Sequence, residues 1–136
     1  MTNMVKSAGY IVMMEWGRSG DEDSAPRFPT KEKALQHVYK RIERPRKKPF
    51  IEFHMDKVSP NKGDGIYSPD KFPFKYNTVM NITGIRERGV WNVYVSDYGK
   101  GSTAYKIDRD GRRVGTISFK ELRLKADKVL NAYHEQ

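Results

Sequence analysis

Thr78-Val-Met-Asn-Ile-Thr-Gly-Ile-Arg-Glu-Arg-Gly-Val-Trp-Asn-Val-Tyr-Val-Ser-Asp97 reads as two β-strands, near 78–86 and 90–97, joined by Arg88-Gly89. Two more strands follow, near 103–108 and 113–118, set off by Gly99-Lys100-Gly101 and by Asp108-Arg109-Asp110-Gly111. Asp-Gly tolerates the positive φ angles that a tight hairpin needs, so the second boundary is a strong turn signal. The stretch is therefore a β-meander. It ends in Ser118-Phe-Lys-Glu121, a capping box with Ser118 at the N-cap and Glu121 at N3. Phe119, Leu122, Ala126, Val129, Leu130 and Tyr133 then recur at helical spacing, predicting a helix to about Tyr133.

Upstream, Tyr10-Ile-Val-Met-Met-Glu-Trp16 is β-rich with too few polar residues for alternation, as in a strand covered on both faces. Thr30 is a plausible N-cap for a helix to about Arg44, with Ala34, Leu35, Val38, Tyr39 and Ile42 on one face. Pro45 ends it, because proline disfavours the helical conformation of the residue before it. Pro49 to Asp56 alternates, with Ile51, Phe53 and Met55 on one side, so it predicts a half-buried strand. Residues 1–8 read as a tail, and 17–29 and 59–76 as long loops. The predicted architecture is α+β, in one domain over 1–136. A mostly antiparallel sheet of about five to six strands carries two helices, in the order β-α-β-β-β-β-β-α, with both helices on one face.

Length limits the chain to about one domain. The 26 basic and 17 acidic residues give a net charge of +9, and 30–76 holds twelve basic residues against six acidic ones. Cysteine is absent, which excludes disulfides, thiolate zinc sites and cysteine nucleophiles and fits a reducing compartment. Neither a signal-peptide run nor a membrane-length apolar stretch is present, so the expected location is the cytoplasm, away from membranes.

The densest charge lies between Lys40 and Lys48, where Lys40, Arg41, Arg44, Arg46, Lys47 and Lys48 face a single acidic residue, Glu43. Six cations at one corner of a domain attract polyanions, of which nucleic acid is the commonest in a cell. Arg109, Arg112 and Arg113 sit at a hairpin expected to project from the sheet, as in ribbon-type DNA binders. Aromatic candidates for base stacking are Tyr67, Phe72, Phe74, Tyr76, Trp91 and Tyr94, with Tyr98 and Tyr105 the two expected to be exposed. The ordinary alternative is a solvated basic surface and aromatics that pack as core or loop anchors.

Catalytic constellations are sparse. Glu52, His54 and Asp56 fall on one side of a strand, where a carboxylate beside an imidazole could serve general acid–base cleavage of RNA or bind a metal ion. Any half-exposed strand shows such a polar face. Neither Gly63-Asp64-Gly65 nor Gly99-Lys100-Gly101 opens a helix with the Lys and Ser/Thr of a phosphate loop. No metal or cofactor is expected.

Gly84-Ile-Arg-Glu-Arg-Gly-Val-Trp-Asn-Val-Tyr-Val95, then Arg112-Arg-Val-Gly-Thr-Ile117, then an amphipathic helix, resembles AP2-type DNA-binding domains. The resemblance covers about fifty residues and needs an insertion between Tyr98 and Gly111. It implies a three-stranded sheet in the major groove, with Arg86, Arg88, Arg112 and Arg113 facing the DNA. The leading expectation is a non-enzymatic nucleic-acid-binding protein that contacts mainly backbone phosphates. A second is a protein-binding inhibitor or regulator, such as a phage or mobile-element factor docking on a host enzyme. Its motivation is the Asp21-Glu22-Asp23 loop and the aromatic loop 66–76. A third is a small ribonuclease using Glu52 and His54. DNA or RNA preference and oligomeric state stay open.

Overall fold

The computed structural model describes residues 8–14, 25–63, 68–71, 73–98 and 101–135. In chain order these form β1 (Gly9–Met14), α1 (Lys31–Ile42), β2 (Phe50–Pro60), β3 (Phe74–Glu87), β4 (Val90–Asp97), β5 (Thr103–Ile107), β6 (Arg113–Ser118) and α2 (Phe119–His134). The strands make one six-stranded sheet in sequence order, antiparallel at every step. This is the predicted α+β architecture, element for element. The expected acidic loop and the aromatics Tyr67 and Phe72 lie outside the described residues. No described helix is long and apolar enough to cross a membrane.

Each helix starts where its cap stands. The Thr30 side chain accepts the Lys33 N–H, and the Ser118 side chain accepts the Glu121 N–H. The sheet is longer than its sequence signals. β2 runs to Pro60 and β3 starts at Phe74, so the two ends of the expected 59–76 loop are paired strand, and Asn61 N–H bonds to the Pro73 carbonyl at 2.9 Å. Polar Lys75 and Asn77 concealed this extension, because backbone pairing sets the ladder and side-chain polarity does not.

The two helices do not share a face. Strand alternation separates Ile51, Phe53, Val93 and Val95, which pack with α1, from Phe50, Ile85 and Tyr94, which pack with α2. The expectation of one helical face is thus corrected. Because β2 turns buried Ile51 to one side and partly buried Phe50 to the other, each face of the sheet needs its own cover. The α1 side forms the main core, with Ala34, Leu35, Val38, Tyr39 and Ile42 against Phe53, Met55, Ile82 and Ile107. The α2 side is lighter; Leu122 is the buried residue of a 16-residue helix.

Close approach of α1 to the sheet depends on Gly84. A Cβ there would lie 2.9 Å from Ile51 Cγ2 and 3.0 Å from Ile42 Cδ1, so the last turn of α1 occupies the space a side chain would fill. That contact fixes where the basic end of α1 emerges over β2 and β3.

Candidate nucleic-acid interface

The end of α1 carries Lys40 and Arg41 in its last turn, where cations offset the negative end of the helix dipole. Part of the basic run therefore has a structural use. Arg46 turns back so that Nη2 donates to the Arg41 carbonyl at 2.6 Å, satisfying one of the acceptors that a helix terminus leaves open. Burial, with Arg41 and Arg44 nearby, holds the Arg46 guanidinium below its ordinary pKa, and its shielded Nε has no hydrogen-bond partner among the described residues. The Arg41 guanidinium lies 5.4 Å from the centre of the Phe53 ring. Lys40, Arg44, Lys47 and Lys48 are left exposed.

Their loop is held from below. Arg86 on β3 donates from Nη1 to the Arg46 carbonyl at 2.8 Å and from Nη2 to the Lys47 carbonyl at 3.0 Å. The same guanidinium lies 5.4 Å from the Trp91 ring centre. One arginine thus braces the backbone that presents Lys47 and Lys48. A groove of about 210 Å³ runs between this loop and the end of α2, walled by Lys47, Pro49, Arg86, Val129 and Tyr133.

The cationic surface also continues back along α1. Lys33, His37 and Lys40 follow at spacings of four and three and so share one side of the helix. His37 rests against Phe28 with ring centres 4.8 Å apart. Burial first, then Arg41, Arg44 and Lys40, hold its imidazole below the ordinary value of 6.5. Lys33 and His37 were not among the sequence-predicted contacts, although helical spacing from Lys40 would have found them.

The hairpin does not project. Gln36 Nε2 donates to the Asp110 carbonyl at 2.9 Å, and a Cβ on Gly111 would stand 2.8 Å from the Glu32 carbonyl oxygen. Gly111 has φ +79°, so the turn needs glycine for conformation as well as for clearance. The Asp108 carboxylate accepts the Asp110 and Arg112 N–H groups, each at 2.9 Å, and closes the turn. Arg109 is bound to Glu43, which raises its pKa further. Of the second predicted cluster, Arg109 therefore joins the basic corner through Glu43, whereas Arg112 and Arg113 lie beside the first turn of α1.

Arg113 stacks on Tyr105 at 4.2 Å, and Tyr105 is half-buried against the α1 core. Tyr98 is 55% exposed, and its hydroxyl meets Asn81 Oδ1 at 3.5 Å on the other side of the sheet. The two tyrosines do not form one platform. Tyr94 is buried beneath α2, Trp91 lies under Arg86, and Phe74 and Tyr76 flank the Arg27 guanidinium.

Glu52, His54 and Asp56 do share a face, with His54 Nε2 3.8 Å from Asp56 Oδ2. Asp56 is 5% exposed and accepts the Thr78 hydroxyl at 2.7 Å, so the strand buries this carboxylate and ties it to its neighbour. Among the described residues no three His, Cys, Asp or Glu side chains converge as metal ligands.

No family model matches the chain, and no similar curated protein and no similar solved structure are found. The AP2-type resemblance is not carried by the fold either. The expected insertion contains β5, a full member of the sheet between β4 and β6, and Arg86 faces loop carbonyls.

Proposed function

We propose that this protein binds nucleic acid, mainly through backbone phosphates, on the surface formed by α1 and the loop that follows it. The observation that supports the reading most is the pinning of the Arg46 and Lys47 carbonyls by Arg86. The brace fixes the backbone of a loop that presents exposed Lys47 and Lys48, with exposed Arg44 just before it. Ordering long cationic side chains on a fixed backbone lowers the entropic cost of contacting phosphate. Lys33 and Lys40, with the largely uncharged His37 between them, extend the track by two turns of helix, matching a polymer better than a single small anion.

Fluorescence anisotropy with labelled single- and double-stranded DNA and RNA, at low and near-physiological salt, tests this. Contacts to about five phosphates give a log–log salt slope of roughly −4 to −5 on duplex DNA. Replacing Arg44, Lys47 and Lys48 together with Glu abolishes binding on this reading. A flat salt dependence, or wild-type affinity in that variant, would falsify it. Arg46 is left out of the variant because its guanidinium caps α1.

A second reading, a protein-binding module, is favoured by β6. Among the described residues this strand pairs on one side alone, with β5, and Val114 on it is 56% exposed. An open edge accepts an additional strand from a partner chain. Complex formation that survives nuclease treatment and charge reversal at the corner, but not a backbone-blocking change at Thr116, would move the function to this edge.

A further inference from the structure

At the opposite end of α1 from the basic corner lies a cavity of about 390 Å³, within the size range of small-molecule sites. Its rim is formed by Lys31 and Glu32 in the first turn of α1 and by Arg112 and Arg113 after the hairpin turn. Asp97 and Tyr105 from β4 and β5 line its wall. Leu35 and Met80 close its floor from the core, at 2% and 3% exposure. Two features ask for a ligand. Among the described residues Asp97 Oδ1, shielded from solvent, has no hydrogen-bond partner, a state rare in folded proteins and costly unless a donor arrives. The Arg113 guanidinium is already laid on the Tyr105 ring at 4.2 Å, a flat cationic surface beside that carboxylate. The charge of Asp97 is felt at Tyr105, whose hydroxyl is pushed up first by burial and then by Asp97, with Arg113 opposing.

The lining is of mixed sign, which narrows the ligand. A bare anion would meet Asp97 and Glu32, and a simple cation would meet Lys31, Arg112 and Arg113. A nucleotide satisfies both sets, with N–H donors on its base and negative charge on its phosphate. Among the bases, guanine carries two adjacent donors on its Watson–Crick edge, N1–H and the 2-amino group, and these match a carboxylate in a bidentate pair.

We propose that this cavity binds a guanine nucleotide, with Asp97 accepting the base donors, the Arg113–Tyr105 stack supporting the ring and Arg112 and Lys31 facing the phosphate. The connection to a strand rests on the nucleic-acid reading above; the pocket itself does not. An unpaired guanine in a strand and a free guanine nucleotide present the same edge. The experiment separates them.

Labelled oligothymidylates carrying one central guanine, adenine or cytosine are titrated into the protein, and GMP, AMP and CMP are titrated separately by calorimetry. The expected result is about tenfold tighter binding of the guanine strand, the discrimination of one bidentate base contact. Asp97→Asn removes that preference and leaves affinity for plain oligothymidylate unchanged, because the amide sets a donor against a donor. Arg112→Ala, a change at an exposed position, weakens nucleotide binding without altering which base is preferred. A guanine preference relieved by GMP assigns the pocket to free and strand-borne guanine alike; a preference that GMP cannot relieve assigns it to strands. Binding of GMP without any strand binding retains the pocket and sinks the phosphate-track function. Equal affinity for all strands with no response to GMP overturns the pocket, even where a steep salt slope upholds the function.

Discussion

Glu43 accepts two hydrogen bonds from Arg109, from Nε at 2.9 Å and from Nη2 at 2.6 Å, and so links the end of α1 to the β5–β6 hairpin across 66 residues of sequence. The pair is exposed, with 76% of the arginine side chain open to solvent, so it adds little to stability in physiological salt. Its larger effect is on charge. Glu43 is the one acid within the run from Lys40 to Lys48 and engages a cation that is then withheld from a ligand.

Replacing Glu43 with Gln therefore raises affinity for polyanions severalfold at low salt. It also steepens the salt slope by about one, because the released Arg109 can neutralise one more phosphate. Arg109→Ala acts in the other direction, leaving the Glu43 carboxylate unopposed at the proposed binding surface. Anisotropy titrations of the two variants across a salt series check the opposite signs.

Arg86 is the brace of the basic loop. In Arg86→Met the Arg46 and Lys47 carbonyls lose their donor, at a cost of about 1–2 kcal/mol, since water can replace the more exposed of the two bonds. Lysine restores the charge but not the fork that reaches both carbonyls, so Arg86→Lys recovers only part of the loss. Chemical denaturation measures the stability change. Hydrogen exchange at residues 46–48 reads the loosening, which a simple charge effect would not produce.

Gly84→Ala tests the packing of α1 on the sheet. The added methyl meets Ile51 Cγ2 at 2.9 Å and Ile42 Cδ1 at 3.0 Å, and overpacking of a close-packed core costs about 1–3 kcal/mol. Pairing it with Ile51→Val makes room and recovers part of the loss. A neutral Gly84→Ala in thermal unfolding would show that α1 can lift from β3 freely.

His37 makes stability depend on pH. Its pKa in the folded chain is depressed below 6.5 by burial and by Arg41, Arg44 and Lys40, so the unfolded chain binds the proton more readily. The stabilising contribution is complete above pH 6.5 and is lost as the pH falls through the folded value. His37→Gln flattens this part of the curve relative to wild type. On the proposed function, phosphate along α1 would oppose the local positive field, so the expected outcome is that nucleic acid raises the His37 pKa and binds more tightly in mild acid. An NMR titration of the imidazole with and without ligand measures the shift.

Much of the fold was legible because local chemistry decided it. Thr30 and Ser118 cap the helices they were expected to cap, and β4 and β6 have the boundaries their alternation and turns imply. Charge clustering was legible too, as a matter of sequence proximity. The free cations were not. Sequence shows all of Arg46, Arg86, Lys47 and Lys48 as cations, and only folding brings carbonyl oxygens within reach of the two arginines. Tyr98 and Tyr105 look equivalent in sequence, yet one is open and the other lies under Arg113.

By itself the sequence determined the element order, the caps, the antiparallel meander and the excess of positive charge at one corner. These depend on residue type and on spacings of two, three and four, which act over a few residues. Tertiary structure alone decided that the helices take opposite faces, that the hairpin folds down onto α1, and that Asp97, Tyr105, Arg112 and Lys31 surround one cavity. Those relations join residues far apart in the chain. Long-range packing sets them, because each face of the sheet must find its own apolar cover and each buried polar atom its own partner.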